Sequence, residues 1–199
     1  MESYPREPRA WGNLGVAYSE QGQYEKAAEM TRQALRLAPD QLGDYSSLAN
    51  LALALQRFDE TREIIREGQS RKVDNLVFRN ALYALAFLGA DAAAMAEQQQ
   101  WYAGKPEENI GLALASDTEA YGGHLGKAGE LTKRAVESAT RADSKESGVI
   151  WQAIAALEQA VYGNTTEARQ SATEALKFVS ASQGVEVEAL AGDTARAES

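Results

Sequence analysis

The chain has 199 residues and a formal net charge of −9, and its 20 lysines and arginines are scattered with no basic stripe, so phosphate backbones are repelled on average. With no cysteine and a single histidine, disulfides, thiolate metal sites and Cys-His catalysis are excluded. Apolar residues make up 44%, enough for a core, but the longest apolar run, Ala81 to Ala90, falls short of the roughly 20 residues that cross a bilayer.

The first residues, MESYPREPRAW, contain no apolar stretch of the kind a secretory signal needs, so a cytoplasmic chain is expected. Trp11, Leu14, Gly15 and Tyr18 then recur at i, i+3, i+4 and i+7, which predicts a helix with one buried stripe. A second stripe follows in Tyr24, Ala27, Ala28, Thr31, Ala34, Leu35 and Ala38, with Glu25, Lys26, Glu29, Arg32, Gln33 and Arg36 left for water. Gly22 supplies the turn between the two helices and Pro39 ends the second. Small residues at Gly15, Ala27 and Ala34 let the two backbones approach. One such hairpin cannot cover its own apolar surface, so neighbours are expected.

They are present. Ala27 has counterparts at Thr61, Ala94, Ala128 and Ala168, spaced by 34, 33, 34 and 40 residues. The second unit keeps Tyr45, Leu48, Ala49, Ala52, Phe58 and Ile65 but has Gln56 in place of the turn glycine. The third keeps Leu82, Ala86, Gly89, Ala94 and Trp101. The fourth offers Leu112, Gly123, Leu125, Ala128 and Ala135, and the fifth Trp151, Ile154, Gly163, Ala168, Ala172 and Ala175. Packing size is kept more than residue identity, as burial requires. No stretch alternates with β-branched enrichment, so the fold class is all-α.

Candidate caps fall at the same boundaries. Asp74 or Asn75 can open the third pair, Asp91 its second helix, and Pro106 suits a first helical position ahead of Glu107 and Glu108. Asp143 to Glu146 and Asn164 to Glu167 have capping-box spacing, giving expected helices over 143–162 and 164–181. The expected repeats are 8–41, 42–74, 75–104, 105–142 and 143–181 within one domain of 1–199. A shortened sixth unit, 182–199, leaves the fifth incompletely covered, which calls for another surface as a cap.

A period near 34 with Trp11, Leu14, Gly15, Tyr18, Ala27 and Pro39 in place resembles the tetratricopeptide repeat, Thr31 standing where that pattern has an aromatic. More narrowly, NLGVAYSEQGQYEKA, YALAFLGADAAAMAEQ, DTEAYGGHLGKAGELTKRAVESA and AALEQAVYGNTTEARQSATEAL are similar to the repeat-rich tails that follow the catalytic domain in some bacterial eukaryote-type serine/threonine protein kinases. The resemblance implies an α-solenoid of about five pairs that senses or docks a protein, and it does not imply kinase activity; with no nucleophile, base and orienting group in a recognisable arrangement, no enzyme activity and no cofactor are expected. The kinase parts themselves, a glycine-rich loop, H-R-D and D-F-G, are missing.

In that family the inner helix of each pair lines a concave groove. The corresponding positions are Arg9, Asn13, Val16 and Glu20, then Ser46, Ser47, Asn50 and Ala54, then Asn80, Ala84 and Phe87. The fourth unit gives Ala113, Asp117 and Tyr121, and the fifth Gln152, Ala156 and Gln159. With Arg9 alone basic, capture of a free C-terminal carboxylate is disfavoured, because one cation cannot replace a set of charge-assisted hydrogen bonds. The Asn, Ser and Gln row suits the backbone of an extended peptide, with Phe87 and Tyr121 as apolar anchors. The competing reading is a solvated polar face without a ligand.

Other residues carry less. His124 lacks a second ligand at i+3 or i+4 and reads as a capping or exposed residue. Glu107 and Glu108 point about 100 degrees apart on a helix, which suits a first turn better than acid-base chemistry. The glycosylation pattern at Asn164 reads as a cap, and Trp101 and Trp151 read as core. The expected function is a non-catalytic interaction module, a segment of a larger bacterial signalling protein. A structural module dimerising through its C-terminal end is the alternative.

Overall fold

The computed structural model describes residues 7–176. Among them are ten α-helices and no strand. The chain divides into two compact units, Met1–Met95 and Ala96–Ser199.

In the first unit α1 (Pro8–Glu20) pairs with α2 (Tyr24–Leu37), α3 (Leu42–Ala54) with α4 (Phe58–Ser70), and α5 (Leu76–Leu88) packs on α3 and α4. The division between units falls within α6 (Ala92–Tyr102). The second unit contains α7 (Glu108–Tyr121) paired with α8 (Leu125–Arg141), and α9 (Lys145–Val161) paired with α10 (Thr165–Leu176). These four pairs are among the five expected from the spacing of Ala27 and its counterparts.

All five intra-pair turns use one device. The residue after the C-cap adopts a left-handed conformation at Gly22, Gln56, Ala90, Gly123 and Gly163, with φ of +71°, +58°, +53°, +80° and +81°. The next amide then reaches back to a carbonyl five residues earlier: Gln23 to Tyr18, Arg57 to Ala52, Asp91 to Ala86, His124 to Glu119 and Asn164 to Gln159, each at 2.9 Å. This is the Schellman closure of a helix end. The third unit departs from the expected placement. Gly89 has φ of −86°, and the strained position belongs to Ala90, one residue later.

Two of the expected caps also differ. Asp143 does not open a capping box: it takes φ of +55° as the last link of the preceding turn, and the cap of α9 is Ser144, whose hydroxyl lies 2.8 Å from that of Ser147. Pro106 sits in a turn before α7, since the Glu108 amide bonds the Lys105 carbonyl at 3.0 Å and the helix begins only there. Asn75 and Asp91 do cap as expected, Asn75 Oδ1 accepting from Val77 and Phe78 and Asp91 Oδ1 from Ala94. Asn164 precedes α10 and donates through Nδ2 to Gln159 Oε1 at 2.8 Å.

The first unit's core joins Ala27, Ala28, Tyr45, Leu48, Ala49, Ile64, Ile65, Phe78 and Ala81. Close approach depends on small residues. A Cβ at Gly15 would stand 2.7 Å from Thr31 Oγ1, and one at Gly68 would stand 2.5 Å from the Phe78 ring. In the second unit the small residue falls at Gly111, where a Cβ would stand 2.9 Å from Tyr102. In the same unit Ala128, Ala135 and Ala139 of α8 and Ala168, Ala172 and Ala175 of α10 are buried. Of the five counterpart positions only Ala94 is not buried; on α6 that role passes to Gln98 and Tyr102. Trp101 and Trp151 are half-buried instead of enclosed. Trp101 packs edge-on to Tyr102 with the Lys105 ammonium 3.3 Å from its ring centre.

No helix among the described residues is long and apolar enough to cross a membrane. The end of the expected fifth pair, the sixth unit at 182–199 and the dimer contact assigned to it lie outside the described residues.

Candidate functional site

The inner helices α1 and α3 face each other across a cavity of about 630 Å³. Its walls include Arg9, Asn13, Val16 and Glu20 from α1 and Asp44, Ser47, Asn50 and Ala54 from α3, with Tyr24 and Thr31 of α2 behind. The inner-helix stripe thus gathers Arg9, Asn13, Ser47 and Asn50 in one place. The side chains of Arg9, Asn13, Glu20, Asp44 and Asn50 make no hydrogen bond or ion pair among the described residues, and Ser47 makes only a 3.4 Å bond to the Gly43 carbonyl. In contrast, the outer helices are tied to each other by charge: Arg57 spans both carboxylate oxygens of Glu25 at 2.7 Å, and Arg32 pairs with Glu60. The side chains of Arg9, Asn13, Glu20, Asp44 and Asn50 are therefore available to a ligand, while Glu25, Arg32, Arg57 and Glu60 on the outer side already have partners.

Ser46 is a correction. It is turned into the core at 9% exposure and accepts a 2.8 Å hydrogen bond from Asn75 Nδ2, because residue 46 lies on the side of α3 that meets α5, about 100 degrees from Ser47. Ala113 and Ala156 are likewise buried. Asn80 and Phe87 are half-buried on α5 and do not line the cavity.

The inner-helix stripe read from the sequence omits Asp44. It lies one turn before Ser47 in the first turn of α3, so extending the stripe backwards by three residues finds it. Partial burial raises its carboxyl above the usual range. Opposite it stands Gly12, where a Cβ would be 3.5 Å from Asp44 Oδ1.

In the second unit three contacts tie α7 to α9. Trp151 Nε1 donates to Asn109 Oδ1 at 3.0 Å, Asp117 and Glu158 bring their carboxyls into hydrogen-bond contact, and the Tyr162 hydroxyl donates to the Ala120 carbonyl at 2.6 Å. Burial, and then the neighbouring Asp117 charge, push the Glu158 carboxyl up to about 7. Burial also raises Asp117, opposed by its bond to Glu158. Tyr121 is 77% exposed, and Gln152 is half-buried with an Oε1 that has no partner among the described residues. His124 is exposed, its Nδ1 2.9 Å from Glu119, whose carboxyl is lowered first by the Lys127 hydrogen bond and then by His124. No group of three or more histidine or carboxylate side chains is placed to hold a metal ion among the described residues.

Residues 8–41 match the family model of the tetratricopeptide repeat. No curated protein matches the chain by sequence. Among solved structures, PilW, a widely conserved type IV pilus biogenesis factor, is 16% identical with a TM-score of 0.60, over 96% of this chain and 89% of that one. PilF of Pseudomonas aeruginosa is 15% identical with a TM-score of 0.58, over 96% and 87%. The signal transduction ATPase PH0952 of Pyrococcus horikoshii, described as having a tetratricopeptide repeat sensor, is 16% identical with a TM-score of 0.58, over 96% of this chain and 31% of that one. What these proteins share with the chain is the fold: all-helical, built of tetratricopeptide-like pairs.

Proposed function

We propose that the chain is a non-catalytic tetratricopeptide module that binds an extended segment of a partner protein along the cavity between α1 and α3. The observation that carries this reading is the row of Arg9, Asn13 and Asn50, whose side chains face a 630 Å³ cavity with no partner of their own among the described residues. Asparagine amides offer a donor and an acceptor together, the complement of a peptide backbone. Asn80 and Phe87 on α5 are further contact candidates, and Asp117, Tyr121 and Gln152 are candidates for a contact of the second unit's own. The segments similar to kinase tails support a place within a larger bacterial signalling protein acting in the cytoplasm, and the tetratricopeptide repeat sensor of the Pyrococcus horikoshii ATPase would be a counterpart of that role.

Capture from a bacterial lysate by the immobilised chain tests the site. Asn13→Ala with Asn50→Ala should reduce the captured protein several-fold while leaving the thermal midpoint nearly unchanged, since exposed polar substitutions rarely move stability beyond about 0.5 kcal/mol. Undiminished capture by the double variant would move the partner to another face and end this reading.

A further inference from the structure

The α1–α3 cavity contains an imbalance that its role as a peptide site leaves unexplained. Asp44 is partly buried among protein atoms, and no lysine, arginine or histidine among the described residues forms an ion pair with it. Arg9, the cationic side chain of the cavity wall, does not pair with it either. A carboxylate withdrawn from water without a counter-charge is costly, and the amino end of α3 offsets only part of that cost. Burial accordingly raises the Asp44 carboxyl. A ligand that brings a positive charge recovers this cost on binding. A ligand without one does not.

Gly12 adds a second observation. It lies inside α1, where glycine weakens a helix, and packing does not demand it: a Cβ there meets only Asp44 Oδ1, at the ordinary contact distance of 3.5 Å. At Gly15, three residues on, Thr31 forbids any side chain. The missing side chain at Gly12 therefore leaves open the approach to Asp44 and serves no contact between helices. On the wall beside it, Asn13 and Asn50 can hold a backbone in extended form.

We propose that Asp44 sets the specificity of the cavity: the bound segment is an extended peptide with a lysine or arginine side chain that enters past Gly12 and pairs with the Asp44 carboxylate, while Asn13 and Asn50 hold the peptide backbone. This rests on the cavity being the peptide site. It reverses the polarity of a groove built to take a terminal carboxylate.

The test uses the full chain and a pool of random-sequence decapeptides, sequenced before and after retention on the immobilised protein at low salt. The unaltered chain should retain peptides enriched about tenfold in lysine and arginine, with the enrichment falling as salt rises. Asp44→Asn should keep retaining peptides with the enrichment gone, and Gly12→Leu, which covers the carboxylate without changing charge, should do the same. Circular dichroism shows whether each variant is folded, and if Asp44→Asn is not, Gly12→Leu decides. Asn13→Ala with Asn50→Ala should lower retention of all peptides alike. Retention that depends on Asn13 and Asn50 but shows no cationic enrichment, enrichment in acidic peptides, or enrichment that survives Asp44→Asn overturns the proposal and leaves the peptide site standing. Absence of retention, or retention indifferent to Asn13 and Asn50, overturns both.

Discussion

Thr31 Oγ1 occupies the space that a side chain on Gly15 would need, a Cβ there falling 2.7 Å from it. The hydroxyl cannot swing aside easily, being buried and bonded to the Ala27 carbonyl at 2.9 Å. This pair sets how closely α1 and α2 approach, and so the placing of the cavity wall that α1 supplies. Gly15→Ala should cost about 1–3 kcal/mol by overpacking, and adding Thr31→Ala should return most of it. Gly12→Ala, on the same helix, should be neutral or stabilising by up to about 1 kcal/mol, because its Cβ meets nothing closer than 3.5 Å. Denaturant titration of the three variants checks the contrast, and equal effects at the two glycines would refute it.

Gln56 and Ala90 hold a left-handed backbone that the other three intra-pair turns give to glycine. Each non-glycine residue there carries about 1 kcal/mol of strain, so Gln56→Gly and Ala90→Gly should each raise stability by up to about that much. Gly89→Ala, at a φ of −86°, should not carry the penalty expected of a turn glycine. Thermal melts showing that Ala90→Gly destabilises would contradict this account.

Trp151 donates a 3.0 Å hydrogen bond to Asn109, linking α9 to α7, and Asn109 is buried at 3% exposure. Trp151→Phe keeps most of the ring but strands the Asn109 oxygen, which should cost about 1–3 kcal/mol. Trp151→Ala should cost more, although less than a fully enclosed tryptophan, since the ring is only half-buried. A Phe variant as stable as the original would mean that water replaces the indole donor.

The Glu158 carboxyl titrates at about 7 in the folded chain against 4.5 as its ordinary value, through burial first and the Asp117 charge second. Its folded pKa lies above its unfolded one, so between these values the folded state binds more protons and stability falls as pH rises. The decline should start near pH 4.5 and level off above about 7, where both states are ionised. Asp117 sits across from it on α7, while α8 and α10 bury alanines in this unit. Elsewhere on these helices Glu119 pairs with Lys127, and Glu108 lies 3.9 Å from Arg141. Glu158→Gln should flatten this part of the profile and raise the melting temperature at pH 8. A slope unchanged in that variant would assign the pH dependence to another group.

Much of the architecture is legible in residue spacing. The stripe through Trp11, Leu14, Gly15 and Tyr18 and the recurrence of Ala27 near every 34 residues locate the pairs, because a helix must bury one face and a hairpin must bury it against the next. The cavity is legible in part. Asn13 and Asn50 fall on the stripe, whereas Ser46, next to Ser47, belongs to the core because it meets Asn75 from the following pair. Asp44 is hidden in the sequence because a carboxylate in a first turn reads as a cap, and only the cavity shows that it has no counter-charge among the described residues.

Residue order is enough to say which segments are helices and where they pair, since periodicity, turn glycines and small contact residues act over a few positions of the chain. Which polar side chains share a cavity, and which carboxyls are brought into contact, is settled by packing between helices. Asp117 and Glu158 are 41 residues apart and meet only because α9 packs on α7, and no local pattern records that distance.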